Sequence, residues 1–233
     1  MAAPVTSHTL SSRVICLAVI ALLELCALAS AFPAGDAPGT ITTLAWSPRA
    51  FLFNGFATRE ECEHVRALAR PYMQRSTVVG DDDEDAVSSV RTSYGTFLSR
   101  FQDSTLAALE ERIALWTHLN VTHQEDPQVL RYALGQEYKA HMDDLEEEVP
   151  RIATVILYLS DVEAGGETVF PLTNISVSPR MGDALLFWSL DSRLEEDVNA
   201  LHAGAPVLQG VKVRDIIGIV LAVVDSDTMT PNA

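Results

Sequence analysis

The chain has 233 residues, 48% of them hydrophobic and 21% charged, which is enough for one domain with a substantial core and too little for two large domains. The modest content of glycine (12) and proline (11) excludes a collagen-like or wholly disordered chain. A formal net charge of −16 argues against nucleic-acid binding, because phosphate contacts require clustered lysine and arginine.

Residues 1–31 have the layout of a secretory signal peptide. An apolar run from Val14 to Ala29, broken only by Glu24, follows Arg13 and leads into small residues. The run is shorter than the roughly 20 apolar residues that a transmembrane helix needs. We therefore expect a cleaved signal. An uncleaved type II membrane anchor is the second interpretation, and an ordinary core helix is the third.

Entry into the secretory pathway predicts a location in the lumen of the endoplasmic reticulum, with membrane attachment only if the anchor is retained. Two N-glycosylation sequons, at Asn120 and Asn174, agree with this compartment. Of the three cysteines, only Cys62 lies outside the N-terminal apolar segment. The mature chain is therefore predicted to have no intrachain disulfide.

The first part of the mature chain is predicted to be a linker followed by two helices. Residues 32–44, rich in Pro, Gly, Ala and Thr, form the linker. Thr58 begins a capping-box pattern, and apolar residues at helical spacing predict a helix over 59–74. A second apolar stripe predicts a helix over 104–118.

After the second helix the pattern changes to short runs rich in Val, Ile, Leu and aromatic residues, separated by Gly, Pro and Asp. Such runs predict strands. They cover 128–134, 152–159, 168–170, 183–188 and 207–208. Helices first and many short strands later indicate an α+β class, and the predicted core is a small antiparallel double sheet of the jelly-roll kind.

Three residues in this strand-rich part have the identities of a metal site. His141 and Asp143 are two residues apart in an extended stretch, so their side chains project to the same face. His202 can supply a third ligand from a facing strand. Two histidines and one carboxylate form the facial triad of non-haem Fe(II) oxygenases, which leaves positions open for cosubstrate and dioxygen. Asp144 is a rival ligand that should point to the opposite face.

Lys212 is a candidate anion-binding residue. It lies ten residues after His202, among otherwise apolar residues. A buried lysine needs an anionic partner, and the distal carboxylate of 2-oxoglutarate would serve. An exposed lysine at the end of a strand is the other interpretation of this residue taken alone.

Further blocks of specific sequence stand in order along the chain. They are 46–51 (WSPRAF), 91–98 (RTSYGTFL), 128–132 (QVLRY) with 135–141 (GQEYKAH), 151–154 (RIAT) running into 158–162 (YLSDV), 165–171 (GGETVFP), 179–187 (PRMGDALLF) and 201–204 (LHAG). Together they resemble the catalytic domain of the prolyl 4-hydroxylases, especially the single-domain plant and green-algal type. The resemblance implies an α+β domain over 45–212 with a double-stranded β-helix (jelly-roll) core and N-terminal flanking helices.

The resemblance also implies a cofactor and a cosubstrate. The predicted triad of His141, Asp143 and His202 would bind Fe(II). The far carboxylate of 2-oxoglutarate would be held by Lys212 and Thr168, and Tyr132 would hydrogen-bond the cosubstrate.

The reaction implied is peptidyl-proline 4-hydroxylation by dioxygen, coupled to decarboxylation of 2-oxoglutarate to succinate. Tyr138 and Arg151 would lie beside a proline-rich peptide or protein substrate. Ascorbate would rescue over-oxidised iron. The protein would contribute the ligand geometry and a shielded pocket, while iron would carry the oxidative step.

The sequence departs from the family pattern most strongly at its end. The family has Lys-Trp and a later second Trp that lines the substrate groove, whereas Lys212 is followed here by Val213-Arg214-Asp215 and an apolar run. We therefore expect residues 213–233 to be a divergent tail. The run 216–224 could still pair as a closing strand, and translation into an unspliced intron is an equally open origin for it. Ala205 also stands where the family has a cysteine.

Three functions remain open at this point. The first is peptidyl-proline hydroxylation. The second is a 2-oxoglutarate oxygenase that acts on another substrate. The third is a catalytically impaired isoform that serves as a binding or structural domain because of the altered C-terminus. The oligomeric state is not predicted.

Overall fold

The structure, a computed structural model, describes residues 39–75, 92–143 and 151–220. The predicted signal segment, Asp144 and the chain beyond residue 220 lie outside these ranges. Within them, no helix is both long enough and apolar enough to cross a membrane.

The described ranges contain two α-helices and fourteen strands, which fits the predicted α+β class, but the predicted order of helices first is wrong, because two strands precede the first helix and two more lie between the helices. The helices are α1 (Arg59–Ala69) and α2 (Ser104–Thr117), and short 3₁₀ helices cover Arg70–Tyr72, Val121–His123 and Val198–Ala200. The strands are β1 (Thr40–Trp46), β2 (Arg49–Asn54), β3 (Gln74–Arg75), β4 (Tyr94–Phe97), β5 (Gln128–Tyr132), β6 (Tyr138–His141), β7 (Arg151–Tyr158), β8 (Ala164–Gly165), β9 (Thr168–Phe170), β10 (Ile175–Val177), β11 (Ala184–Trp188), β12 (His202–Gly204), β13 (Val207–Gln209) and β14 (Lys212–Val220).

The strands form one large sheet and two smaller ones. The eight-stranded sheet has the order β1-β2-β11-β7-β14-β5-β4-β3, and the four-stranded sheet has the order β10-β9-β12-β6. A two-stranded ribbon joins β13 to β8. All described pairings are antiparallel. The strands next to each other in the large sheet are mostly distant in sequence, so the sheet depends on long-range pairing.

The central strands of the large sheet are buried on both faces. One face packs against α1 and α2 in an apolar cluster that includes Val65, Ile113 and Val155. The other face packs towards the four-stranded sheet, where Phe170 meets Phe187 with ring centroids 5.2 Å apart. Alternate residues of each central strand pack into one or the other of these two apolar clusters, since successive side chains point to opposite faces. The site described below lies on the second face.

The helix boundaries follow from local chemistry. Thr58 accepts a hydrogen bond from the Glu61 amide at 3.1 Å, and its own amide donates to the Glu61 carboxylate at 2.8 Å, which confirms the predicted capping box. Helix α1 ends at Ala69 rather than at residue 74, because Pro71 has no amide hydrogen to continue the helix. Helix α2 lies within one residue of its predicted bounds.

The large sheet also contains β1, β2, β3 and β4, which the sequence patterns did not predict as strands, and β14, which they predicted only in part. Strand β1 begins at Thr40, so the extended part of 32–44 pairs with β2 instead of serving only as a linker. Strand β14 runs from Lys212 to Val220, between β5 and β7, so the strand expected within 216–224 is present over 216–220 and begins at Lys212, across the boundary predicted after that residue. The β-branched residues of 213–220 suit such a central strand.

Candidate metal and cosubstrate site

Two short neighbouring strands position the histidines of the predicted metal site. His141 is the last residue of β6, and His202 is the first residue of β12, where the two are direct cross-strand partners. The prediction that His202 would come from a facing strand is therefore wrong: it comes from the adjacent strand of the same sheet. Asp143 follows two residues after His141, as the alternation of an extended chain requires.

The three side chains converge closely enough to share one metal ion. One potential ligand atom from each of His141, Asp143 and His202 lies within 4.8 Å of the others, and no second cluster of this kind occurs in the described ranges. The Nε2 atom of His141 is 3.5 Å from Asp143 Oδ1, and the Nε2 atom of His202 is 3.8 Å from that oxygen. Imidazole nitrogen and carboxylate oxygen are suitable ligands for Fe(II).

Backbone carbonyl groups orient both imidazole rings. The Nδ1 atom of His141 is 2.8 Å from the Lys139 carbonyl oxygen, and the Nδ1 atom of His202 is 3.1 Å from the Ala200 carbonyl oxygen. A carbonyl oxygen only accepts, so each Nδ1 carries the hydrogen and donates it. The lone pair of each Nε2 then points towards Asp143. This tautomer is the one that a metal ligand requires.

The electrostatic surroundings keep the ligands in metal-binding forms. Burial lowers the pKa of His202 to about 4 against the opposing charge of Asp143, so this imidazole is neutral at neutral pH. Burial raises the pKa of Asp143, but His202, Arg151 and His141 outweigh it and hold the pKa below its ordinary value. Thr154 Oγ1 also donates to Asp143 Oδ2 at 2.6 Å, which orients the carboxylate.

A cationic pocket lies beside the metal site on the same side of the large sheet. Lys212 is 1% exposed, and its Nζ atom donates to the Gly166 carbonyl oxygen at 2.5 Å. The same Nζ atom is 5.7 Å from the ring centroid of Tyr132 and 5.9 Å from that of Tyr158. Burial and the neighbouring Arg214 charge both lower the pKa of Lys212 well below its ordinary value. The alternative of an exposed strand-end lysine is therefore excluded.

The other predicted cosubstrate residues line this pocket. Tyr132 is the cross-strand partner of Lys212, and its hydroxyl accepts a hydrogen bond from Arg214 at 3.0 Å. Thr168 is fully buried on β9, and its hydroxyl accepts from Tyr158 at 2.9 Å. Buried cations surrounded by hydroxyl groups suit a carboxylate ligand such as 2-oxoglutarate. The residues present therefore fit both the metal and the cosubstrate.

Comparison with known proteins places this site in a family. A sequence profile of the 2OG-Fe(II) oxygenase superfamily matches residues 127–217. The chain is 44% identical over 195 residues to probable prolyl 4-hydroxylase 3 of Arabidopsis thaliana, covering 72% of this chain and 68% of that protein. It is 41% identical over 219 residues to probable prolyl 4-hydroxylase 6 of the same plant, covering 83% and 76% respectively.

The chain belongs to the prolyl 4-hydroxylase family. Its structure is similar to that of the viral collagen prolyl hydroxylase vCPH of Paramecium bursaria Chlorella virus-1 in complex with 2OG, with a TM-score of 0.61, 25% identity and coverage of 73% of this chain and 95% of that one. A prolyl-4-hydroxylase of Pseudomonas putida shares the fold with a TM-score of 0.55. These likenesses confirm the predicted jelly-roll core. Family membership confirms an Fe(II)- and 2-oxoglutarate-dependent dioxygenase.

The residues that the prolyl 4-hydroxylase resemblance assigns to the peptide lie at the edge of the metal site. Tyr138 stacks on His141, with ring centroids 3.7 Å apart and planes at 22°. Arg151 contacts Asp143 at 3.5 Å and forms two hydrogen bonds with the Glu125 carboxylate, at 2.8 and 2.6 Å. Arg151 is thus held by two acidic side chains rather than projecting freely, and sequence patterns did not indicate the role of Glu125.

The lack of a side chain at Gly218 leaves room for the Arg151–Glu125 ion pair. A Cβ atom at Gly218 would lie 2.3 Å from Arg151 Nε and 2.4 Å from Glu125 Oε1. The Arg151–Glu125 pair therefore fills space that a larger residue on β14 would occupy. This is the part of the chain where the sequence departs from the family's aromatic pattern.

One residue of the pocket was not predicted. Arg214 is 1% exposed and lies two residues after Lys212 on β14, so both side chains project to the site face. The signal was present in the sequence, because the alternation of a strand places i and i+2 together. Arg214 is not among the predicted site residues, because the departure from the family pattern after Lys212 predicts a divergent tail there.

Proposed function

We propose that this chain hydroxylates proline residues of peptide substrates at C4. In this reaction one oxygen atom of O2 enters the proline ring as a hydroxyl, and the other enters succinate as 2-oxoglutarate loses CO2. The observation that supports the proposal most directly is the convergence of His141, Asp143 and His202, with both Nε2 atoms oriented towards the carboxylate.

The triad residues would hold Fe(II) through the two Nε2 atoms and the Asp143 carboxylate. When bound there, the metal supplies the oxidative chemistry. The protein's own contribution is pre-organisation: the carbonyl groups of Lys139 and Ala200 fix the imidazole tautomers, and Thr154 fixes the carboxylate. None of these contacts must form during turnover, so the site pays little reorganisation energy.

We assign the cosubstrate to the pocket around Lys212. Its distal carboxylate would receive hydrogen bonds from Lys212 and the Thr168 hydroxyl, with Tyr132 as a further partner. All three side chains are almost fully buried, at 1%, 0% and 2% exposure. Water is thereby excluded from the far end of the cosubstrate, which strengthens each charged hydrogen bond.

We assign the peptide to the edge of the site formed by Tyr138 and Arg151. A tyrosine ring stacked beside the metal ligand offers an apolar surface suited to a proline ring. Arg151 donors would bind peptide carbonyl groups. Proline-rich sequences are the proposed substrates, since they are extended in advance and lose little entropy on binding.

We also propose that the enzyme acts in the secretory pathway. The apolar segment at 14–29 supports a cleaved signal, and both sequon asparagines are exposed: Asn120 before a 3₁₀ helix and Asn174 between β9 and β10. N-terminal sequencing and glycosidase treatment of the protein expressed in eukaryotic cells test this. A retained N-terminus would indicate the type II anchor instead. Ascorbate is proposed as the reductant that maintains Fe(II).

The decisive experiment measures succinate and peptide mass together. The mature chain is incubated with Fe(II), 2-oxoglutarate, ascorbate and poly-proline or collagen-like peptides, beside a His141→Ala variant. Peptide-dependent succinate with a hydroxylated peptide, both lost in the variant, is the expected result. Succinate without hydroxylated peptide would indicate a different substrate. No turnover despite metal binding would indicate the impaired isoform.

A further inference from the structure

Arg214 occupies a position that a buried arginine can hold only with an anionic partner. It lies in the central strand β14, where its cross-strand neighbours are Leu130 on β5 and Tyr158 on β7. Both neighbours are fully buried on the site face of the large sheet. Burying an ionised group among such side chains is costly unless it is paired and fully hydrogen-bonded.

The hydrogen bonds of the Arg214 guanidinium are incomplete. Only Nη2 has a partner among the described residues, the Tyr132 hydroxyl at 3.0 Å. The buried Nε and Nη1 atoms have no hydrogen-bond partner in the described ranges. Asp215 is the next residue but projects to the opposite face of the strand, as Val213 and Ile217 do. The donors that lack partners are therefore on the site side.

The charge of Arg214 affects the pKa values of two other residues of the site. It contributes, after burial, to the low pKa of Lys212, and it also acts in the same direction on the pKa of His202. The Arg214 charge disfavours the charged form of Lys212, because two buried cations repel each other. Glu167 opposes this effect at Lys212. A dianionic ligand would supply the missing countercharge for both.

We propose that Arg214 is a second cosubstrate-binding cation, which donates with Lys212 to the distal carboxylate of 2-oxoglutarate. This inference rests on the proposed function. The planar guanidinium offers several donors in a fixed arrangement that matches carboxylate oxygens, whereas the Lys212 ammonium acts as a point charge already engaged by the Gly166 carbonyl. Arg214 thus makes the pocket specific for a 2-oxo acid with a second carboxylate.

Ligand binding without turnover tests this assignment. The protein is loaded with Mn(II) in the absence of oxygen and titrated calorimetrically with 2-oxoglutarate and with 2-oxobutanoate, which lacks the distal carboxylate. Arg214→Met is expected to weaken 2-oxoglutarate binding by about 10- to 100-fold, as for loss of a charged hydrogen bond. Binding of 2-oxobutanoate should change by less than about 2-fold, because it lacks the carboxylate that Arg214 contacts.

Matched variants separate binding from folding. Arg131→Met removes an arginine from the adjacent strand β5 whose side chain lines a cleft on the helix side with Glu63 and Val213, so it should alter neither affinity. Arg214→Lys should recover part of the lost 2-oxoglutarate affinity. Thermal unfolding of each variant identifies any that fails to fold, and Arg214→Gln then replaces Arg214→Met in the titration.

The outcomes distinguish this inference from the proposed function. Equal 2-oxoglutarate affinity in the wild type and Arg214→Met, or equal loss for both ligands, overturns the role of Arg214 while prolyl hydroxylation by the wild type can stand. Conversely, a selective loss of 2-oxoglutarate affinity in a protein that hydroxylates no proline peptide supports Arg214 and overturns the proposed substrate. A wild-type chain that does not bind 2-oxoglutarate overturns the inference in every case.

Discussion

Strand β14 presents Lys212 and Arg214 to the space between the sheets, and Val213, Asp215 and Ile217 to the helices. Both faces of β14 are buried, but the site face has two positively charged residues and the helix face has one acidic residue. On the site face, Lys212 and Arg214 lie beside the Tyr132 ring, and two Arg214 nitrogen atoms have no hydrogen-bond partner among the described residues. On the helix face, one acid lies in a mostly apolar cluster.

The helix face satisfies most of its charged groups internally. Arg112 forms a bidentate pair with the Glu61 carboxylate at 3.0 and 2.9 Å and also donates to the Phe56 carbonyl oxygen. Glu110 accepts from the Phe101 amide at 2.7 Å and from Arg100 at 3.3 Å. This face therefore contributes stability, whereas the site face keeps binding capacity at a cost in stability. Substitutions on the two faces should separate the two properties.

The largest expected effect is on the site face. His202→Gln removes one metal ligand while nearly preserving volume, so turnover should fall by about 10³-fold or more. The free energy of unfolding should change by less than about 1 kcal/mol, because within the described residues the ring makes one side-chain hydrogen bond, to the Ala200 carbonyl oxygen. Metal content, succinate release and urea unfolding check this. His123→Gln serves as the control, and undiminished metal content in His202→Gln would contradict the assignment.

The second effect is on the helix face, where a substitution should lower stability and leave activity unchanged. Arg112→Met leaves Glu61 without its buried partner, so the free energy of unfolding should fall by about 3 kcal/mol. The KM for 2-oxoglutarate and kcat should stay unchanged at a temperature where the variant is folded. Chemical denaturation and steady-state kinetics measure both. Arg59→Met, which removes an exposed pair with Glu63, should alter neither quantity.

The third effect is a pH dependence of stability that originates from Asp215. Burial raises the pKa of Asp215 from 3.8 to about 7, and one of its oxygens has no partner among the described residues. Well below pH 3.8, the ordinary pKa of the group, the carboxyl is protonated in both states. As pH rises to 7, the unfolded chain releases the proton first, and the protein loses stability, with the loss complete above pH 7.

Asp215→Asn should remove this dependence, because an amide does not ionise. Urea unfolding at several pH values between 4 and 8 should show the variant gaining on the wild type as pH rises. The exposed Asp126→Asn variant is the control and should follow the wild type. Parallel curves for Asp215→Asn and the wild type would show that Asp215 keeps its ordinary acidity.

The smallest effect is at the edge of the metal site, where the peptide is proposed to bind. Glu125→Gln weakens the hold on Arg151, so the KM for a proline-rich peptide should change by roughly 2- to 5-fold. The KM for 2-oxoglutarate should not change. Gly218→Ala displaces the same pair and should reproduce the effect. If only one of the two variants alters the peptide KM, the pair is not what positions Arg151.

Local patterns predicted much of the helix side. The capping box at Thr58 and the apolar stripe over 104–118 predicted both helices, because caps and spacing are properties of neighbouring residues. The extended start of β1 at Thr40 could not be predicted in this way. Its residues are mostly exposed and are held by pairing with β2 rather than by an apolar pattern of their own.

Part of the metal site could be predicted from neighbouring residues in the sequence, and part depends on long-range strand pairing. The two-residue spacing of His141 and Asp143 predicted a common face, and residue type made His202 a candidate third ligand, which the resemblance to prolyl 4-hydroxylases also implies. That β6 and β12 are adjacent depends on strand pairing across sixty residues of chain, as the partnership of His141 with His202 shows. Residue type, spacing and the resemblance therefore predicted the ligands but not the sheet that assembles them.

The sequence by itself determined which residue types are available: two histidines and a carboxylate, a lysine at strand spacing from an arginine, and an acid directly after that arginine. Only the tertiary structure decided which of these charges are buried and what they meet. Inserting β14 between β5 and β7 buries Lys212, Arg214 and Asp215 together. The physical reason is that desolvation depends on every strand packed around a residue, and these strands come from distant parts of the chain.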